Sequence, residues 1–216
     1  DMDVFIILDA SDSMMFGTTD KMKSEYAAII AAAIAYASTD AGINVGFGIY
    51  ADNEMTMLPE GGQVQYQKIL MEVTNFDNYG GEFNLEHALN SVIGQIKENT
   101  ALFIISDFIQ AQGDWKSKML VASKKFRHVM NVMVRDLRDY ELPENGNMRF
   151  EDASGNEQAV VNTSKVREEF NEQALKDEEE VINKAEAAGA SMLKIDTRKQ
   201  FSAKFAEYFD EEGDEW

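Results

Sequence analysis

The chain has no cysteine among its 216 residues, so disulfides, thiol nucleophiles and thiolate metal sites are all excluded. Histidine is nearly as scarce. His87 and His128 are the whole supply, and isolated histidines are more often surface or packing residues than ligands. Basic residues are outnumbered, with 20 Lys and Arg against 39 Asp and Glu, for a formal charge of -19. That deficit disfavours nucleic acid or an anionic membrane as a partner, since both recruit Lys and Arg clusters. It suits solubility, cation attraction or a basic partner. No apolar run approaches the ~20 residues a spanning helix needs, so no membrane insertion is expected of this segment. No basic and apolar leader pattern opens the chain. Because the chain starts almost inside a predicted strand, that absence excludes nothing.

What is present is a normal globular composition, 44% hydrophobic, in a chain long enough for one sizeable domain. Neither internal repeats nor low-complexity linkers divide it. The expectation is one domain over 1–216, with a hairpin insertion over 137–163 and a solvated acidic tail over 210–216.

The organising stretch runs from Val4 to Met14. Val4 to Leu8 is a continuous apolar run, long enough for one strand buried on both faces. It stops at Asp9, and Ser11 and Ser13 follow at alternate positions. In an α/β sheet the carboxyl end of a strand opens onto the ligand crevice. One carboxylate and two hydroxyls placed there offer oxygen ligands to a hard divalent cation, and Mg2+ completes its octahedron from waters or a partner.

Further along, a helix is predicted from about Lys21 to Ser38, with Asp20 as N-cap and Met22, Tyr26, Ile29, Ile30, Ala33, Ile34 and Ala37 on the buried face. Ile43 to Tyr50 reads as a strand and Glu54 to Leu58 as an antiparallel edge strand. Val64 to Val73 reads as a helix with Ile69, Leu70 and Val73 inward. Asn75 to Glu82 is a glycine-bearing loop, followed by a helix whose apolar positions are Leu85, Ala88, Leu89, Val92, Ile93 and Ile96. Ala101 to Ile105 is a second fully apolar strand, ending in Ser106-Asp107. Trp115 to Phe126 is a helix and Val129 to Val134 a strand. Met148 to Glu151 and Gln158 to Val161 pair as a hairpin. A charged helix from about Ser164 to Ala188, a strand over Ser191 to Asp196 and a closing helix marked by Phe201, Phe205, Tyr208 and Phe209 complete the chain. This order predicts an α/β fold with a mostly parallel central sheet, one antiparallel edge strand and helices on both faces. In such a sheet Asp9 and Asp107 emerge at one edge.

Asp9-Ala10-Ser11-Asp12-Ser13 after a buried strand, with Ile104-Ile105-Ser106-Asp107-Phe108 later, resembles the metal-ion-dependent adhesion site of Rossmann-like von Willebrand factor A (VWA) domains. The resemblance implies that Asp9, Ser11 and Ser13 are ligands of Mg2+ (or Mn2+ or Ca2+), with Asp107 in the outer shell. One position departs. Where the family carries a Thr ligand, this chain reads Gly80-Gly81-Glu82-Phe83-Asn84-Leu85. Counting back from Ala88 aligns Phe83, which cannot coordinate. Counting forward from the glycines aligns Glu82, which could, and Asn84 offers an amide oxygen.

The stretch Arg135 to Pro143, with Glu151 to Glu157 and Val161 to Ser164, resembles the uncharacterised bacterial and archaeal VWA proteins of the DUF58 family associated with MoxR-type AAA+ ATPases. That resemblance implies a cytoplasmic adaptor or co-chaperone for such an ATPase. On the residues alone, the charges of Arg135 to Pro143 read equally as a surface loop with ion pairs.

Three functions follow. The first is a non-catalytic module whose bound cation accepts an acidic residue from a protein partner. The second is a scaffold with a metal-free site. The third, a metal-dependent phosphohydrolase, lacks an Asp-x-Asp nucleophile motif and any base or cationic clamp on the site strands. A serine hydrolase built on Ser13 lacks the Gly-x-Ser-x-Gly elbow.

Overall fold

All seven residues of the first strand, β1 (Asp3–Asp9), are buried, and their side chains divide by parity. Val4, Ile6 and Leu8 enter one hydrophobic cluster, while Phe5 and Ile7 enter another on the opposite side. Period-2 alternation of apolar residues toward two cores is what a strand covered by helices on both faces requires. Each such fully buried side chain contributes about 1.5–3 kcal/mol. The computed structural model describes residues 2–109, 113–144, 146–151 and 158–205.

The chain continues as α1 (Lys23–Asp40), β2 (Val45–Tyr50), β3 (Met55–Glu60), α2 (Gln63–Val73), α3 (Leu85–Gln95), β4 (Thr100–Ser106) and α4 (Trp115–Lys125). Then come β5 (His128–Arg135), β6 (Asn147–Glu151), β7 (Gln158–Asn162), α5 (Thr163–Ala187) and β8 (Ser191–Asp196). The main sheet is ordered β3-β2-β1-β4-β5-β8. β3 alone pairs antiparallel, at the edge, while β2, β4, β5 and β8 join by parallel ladders. From β1 the chain winds outward to β2 and β3, then returns to lay β4, β5 and β8 on the other side. The reversal point, where ligand crevices form in such sheets, therefore lies between β1 and β4.

α1 and α2 cover one face with Ala27, Ile30, Ala31, Ala35, Ile69 and Val73. α3, α4 and the end of α5 cover the other with Leu85, Leu89, Val92, Met119, Ala122 and Ala185. The hairpin of β6 and β7 forms its own two-stranded sheet; its turn over 152–157 lies outside the described residues. So do Tyr208, Phe209 and the acidic tail over 210–216, while 201–205 is helical.

Two local expectations are corrected. α1 starts at Lys23 with Met22 as N-cap, whose N–H donates to Glu25 Oε2 at 2.8 Å, so Asp20 does not cap it. Its buried face is also rotated: Ala27, Ala31 and Ala35 face the core, Ile29 is 41% exposed, and Ala33 and Ala37 are exposed. Alanines carry nothing beyond Cβ, so this side lets the helix approach the sheet most closely. In α2, Leu70 is likewise exposed. Gln65 is buried in its place and donates from Nε2 to the carbonyls of Val45 and Leu58, both at 3.0 Å, across the β2–β3 irregularity.

Candidate metal centre

Asp9 ends β1, and Asp107 follows the last residue of β4. The two strands are parallel, with Leu8 opposite Ile105. Both carboxyls therefore leave the sheet at the same rim, at the reversal point, and both are buried.

Asp9 Oδ1 accepts the Ser11 N–H at 2.9 Å, and Oδ2 accepts the Ser106 hydroxyl at 2.6 Å. A single 3-10 turn over Asp12–Met14 brings the side chains on either side of Asp12 together, with Ser11 Oγ 3.1 Å from Ser13 Oγ. Burial pushes the Asp9 carboxyl up to about 7, the Asp107 charge adds to that, and the Ser106 and Ser11 hydrogen bonds oppose it.

Asp107 is held differently. Its Oδ2 lies 2.8 Å from Lys23 Nζ, and its Oδ1 accepts the Ile109 N–H at 3.0 Å. Between these residues, Phe108 sits at φ 57, a left-handed backbone costly for any non-glycine residue. The site strands β1 and β4 carry no Lys, Arg or His, yet the rim does contain a cation. It comes from the first residue of α1 rather than from a strand. Lys23 Nζ also reaches Asp139 Oδ1 at 2.8 Å. Burial raises the Asp139 carboxyl, with Lys23 opposing and Asp107 reinforcing that rise.

The charged stretch after β5 is more than a surface loop. Arg135 and Asp136 are buried, and Arg135 Nε lies 3.3 Å from Glu178 Oε2. Asp136 accepts from the Thr18 N–H at 2.9 Å, the Thr18 hydroxyl, the Arg138 N–H at 3.0 Å and the Thr197 hydroxyl at 3.2 Å. Burial works against its ionisation, yet these donors hold its carboxyl below the ordinary range. Sequence reasoning missed Lys23, Asp136 and Asp139. Asp136 carried a readable signal, an acidic residue directly after a buried strand. Lys23 carried none, because a lysine beside a helical stripe normally snorkels to water.

The third loop is joined to the first through backbone. Gly80 N–H donates to Ala10 O at 2.8 Å, and Asp12 N–H to Gly81 O at 2.9 Å. Both glycines have positive φ, and a Cβ on Gly81 would fall 2.0 Å from Asp52 Cγ. The residues offered as substitutes for the missing threonine do not join the hydrogen-bonded cluster around Asp9. Glu82 is exposed and donates its N–H to Asp52 Oδ1 at 3.2 Å. Asn84 is the N-cap of α3, its Oδ1 accepting the His87 N–H at 2.9 Å. Phe83 is buried in the α3 core. Met14 is fully buried, whereas Met15 lines a groove between α1 and α2.

Among the described residues, no three His, Cys, Asp or Glu side chains form a metal-holding group. The donor set is one carboxylate with two converging hydroxyls, chemistry that suits Mg2+, Mn2+ or Ca2+ rather than metals preferring nitrogen or sulfur. Asp9, Ser11 and Ser13 fit such an ion: Asp9 is a buried carboxyl, and Lys23 is engaged by Asp107 and Asp139 instead. No histidine serves the hydroxyls. His87 is exposed on α3 and pairs with Glu54, and His128 begins β5, at the end of the sheet away from the rim.

Residues 1–180 match the sequence family described as "Protein of unknown function DUF58". The uncharacterized proteins Rv1480 of Mycobacterium tuberculosis and Mb1516 of Mycobacterium bovis are each 24% identical over 215 residues. The match covers 96% of this chain but 66% of each relative, so the chain spans just under two thirds of their length. Among solved structures, a conserved hypothetical protein BatB from Bacteroides thetaiotaomicron superposes with a TM-score of 0.61 at 19% identity, over 96% of this chain and 95% of that one. An aerotolerance-related membrane protein from Bacteroides fragilis gives 0.59 at 18%, over 95% and 96%. The SpRpn10 VWA domain gives 0.53 at 9%, over 95% and 94%. At these identities the likeness shows a shared fold, that of a VWA domain. No helix among the described residues is long and apolar enough to cross a membrane.

Proposed function

We propose, for a chain that belongs to the family of unknown function DUF58, a role as a non-catalytic protein-interaction module that takes a divalent cation at Asp9, Ser11 and Ser13. The observation that carries this reading is the convergence of Ser11 Oγ and Ser13 Oγ to 3.1 Å beside a buried Asp9 without an ammonium partner. When bound, the ion supplies an electron-poor position able to accept a carboxylate from a partner protein. The chain's own part is to hold that position rigid. Ser106 and the Ser11 N–H fix the Asp9 carboxylate, and the Gly80 and Gly81 bonds fix the loop opposite. A phosphohydrolase is the weaker reading, since His87 pairs with Glu54, His128 begins β5 at the far end of the sheet and Lys23 is held in buried ion pairs.

Within this reading, the partner is an AAA+ ATPase of the MoxR type and the chain its cytoplasmic adaptor. The support is the resemblance of the segment after β5, which also pins the site loop through Thr18 and Asp136. A metal-free scaffold is the competing reading. It is favoured by Phe83, which is buried at one of the two positions that align with the ligand threonine. Thermal unfolding with and without Mg2+ separates the two. The module gains stability with Mg2+ and loses that gain in Ser13→Ala; the scaffold shows no gain in either protein.

A further inference from the structure

Lys23 is the first residue of α1, yet its side chain is only 1% exposed. Its ammonium lies 2.8 Å from Asp107 Oδ2 and 2.8 Å from Asp139 Oδ1. The other oxygen of each carboxylate is engaged by backbone: Asp107 Oδ1 by the Ile109 N–H at 3.0 Å, and Asp139 Oδ2 by the Asp136 N–H at 2.8 Å. One ammonium thus ties together the start of α1, the corner after β4 and the 3-10 turn Leu137–Asp139 after β5. Dehydrating an ammonium is costly unless its partners are ionised and well placed. Here both partners sit on the rim that also carries Asp9. With Lys23 absent, three buried carboxyls would share one rim of the sheet without the ammonium that two of them contact.

We propose that Lys23 is a resident counter-cation: it fills, with a covalently tethered ammonium, a cation position between Asp107 and Asp139 next to the Asp9 site. It acts as a positioning residue, holding the Asp107 corner and the turn after β5 in register. This role stands whether or not Asp9, Ser11 and Ser13 take an ion. It accounts for the pairing of both Asp107 oxygens, one with Lys23 and one with the Ile109 N–H.

The test uses the Asp9→Asn chain as parent, so that the neighbouring site cannot answer for this one. Lys23→Met in that parent lowers the melting temperature by about 10 °C. Neutralising the partners as well, with Asp107→Asn and Asp139→Asn, recovers most of that loss. Lys23→Ala, which leaves a cavity, regains several degrees in Mg2+ or propylammonium chloride but not in sodium chloride of equal ionic strength; the parent shows no such gain. A purely packing role moves neither readout. The proposal is overturned if Lys23→Met costs no stability, if neutralising the partners recovers nothing, or if neither cation rescues Lys23→Ala. Should Lys23→Met fail to fold, folding of the charge-neutral combination supports the proposal and its failure overturns it.

Discussion

The Ser106 hydroxyl donates to Asp9 Oδ2 at 2.6 Å, joining the tips of the two strands that flank the sheet's reversal point. Ser106 Oγ also accepts the Phe108 N–H at 2.9 Å, so one side chain braces both the candidate ligand and the left-handed corner beyond Asp107. Because the bond favours the ionised carboxylate, its loss raises the Asp9 carboxyl further. Ser106→Ala is therefore expected to move the pH midpoint of cation binding upward. A calorimetric Mn2+ titration repeated across pH reads this, and an unchanged midpoint would count against the link.

Asp9 also contributes its own pH dependence of stability without divalent ions. Its folded-state carboxyl is raised from 3.8 to about 7. The folded state therefore holds a proton that the unfolded chain releases. The resulting stability is complete below about pH 4 and is lost as pH rises through about 7. Urea unfolding at several pH values should show this decline in wild type and a flatter profile in Asp9→Asn.

Asp136 works with the opposite sign, since its carboxyl is held below the ordinary range and its contribution is lost as pH falls. Asp136→Ala leaves the Thr18 and Arg138 N–H groups and the Thr197 hydroxyl without their acceptor. The expected cost is about 3 kcal/mol. Amide exchange should show faster opening around Thr18, and unchanged protection there would contradict the pinning role.

Gly81 tests the stitching of the third loop. Its φ is 89, and an added Cβ would overlap the Asp52 carboxyl. Gly81→Ala is expected to cost about 3 kcal/mol in thermal or urea unfolding, from strain and displacement of Asp52 together. Gly42→Ala is a control with φ 73 and open space around the new Cβ, and it should cost less.

Much of the fold was legible because buried parallel strands read as short apolar runs. Val4 to Leu8 and Ala101 to Ile105 read as buried strands of one parallel sheet, and their pairing as neighbours is what the β1–β4 ladder adds. The acidic tips followed from the same rule. The face of α1 was legible in part: Ile30 is buried as the periodicity expects and Ala27, Ala31 and Ala35 allow the close packing on the sheet, but Ile29, also expected inward, is exposed. Lys23 escaped because its burial depends on Asp107 and Asp139, which are 84 and 116 residues away in the chain. Asn84 shows the converse, a residue whose type suits a ligand but whose position at the start of α3 makes it a cap.

On the proposed reading, Asp9, Ser11 and Ser13 take a divalent cation. Isothermal titration of wild type and Asp9→Ala with Mn2+ and Mg2+, at a pH above the Asp9 midpoint, tests it most directly. Saturable, one-to-one heat in wild type that vanishes in Asp9→Ala is the predicted result. No heat in wild type, or heat undiminished in Asp9→Ala, would contradict it.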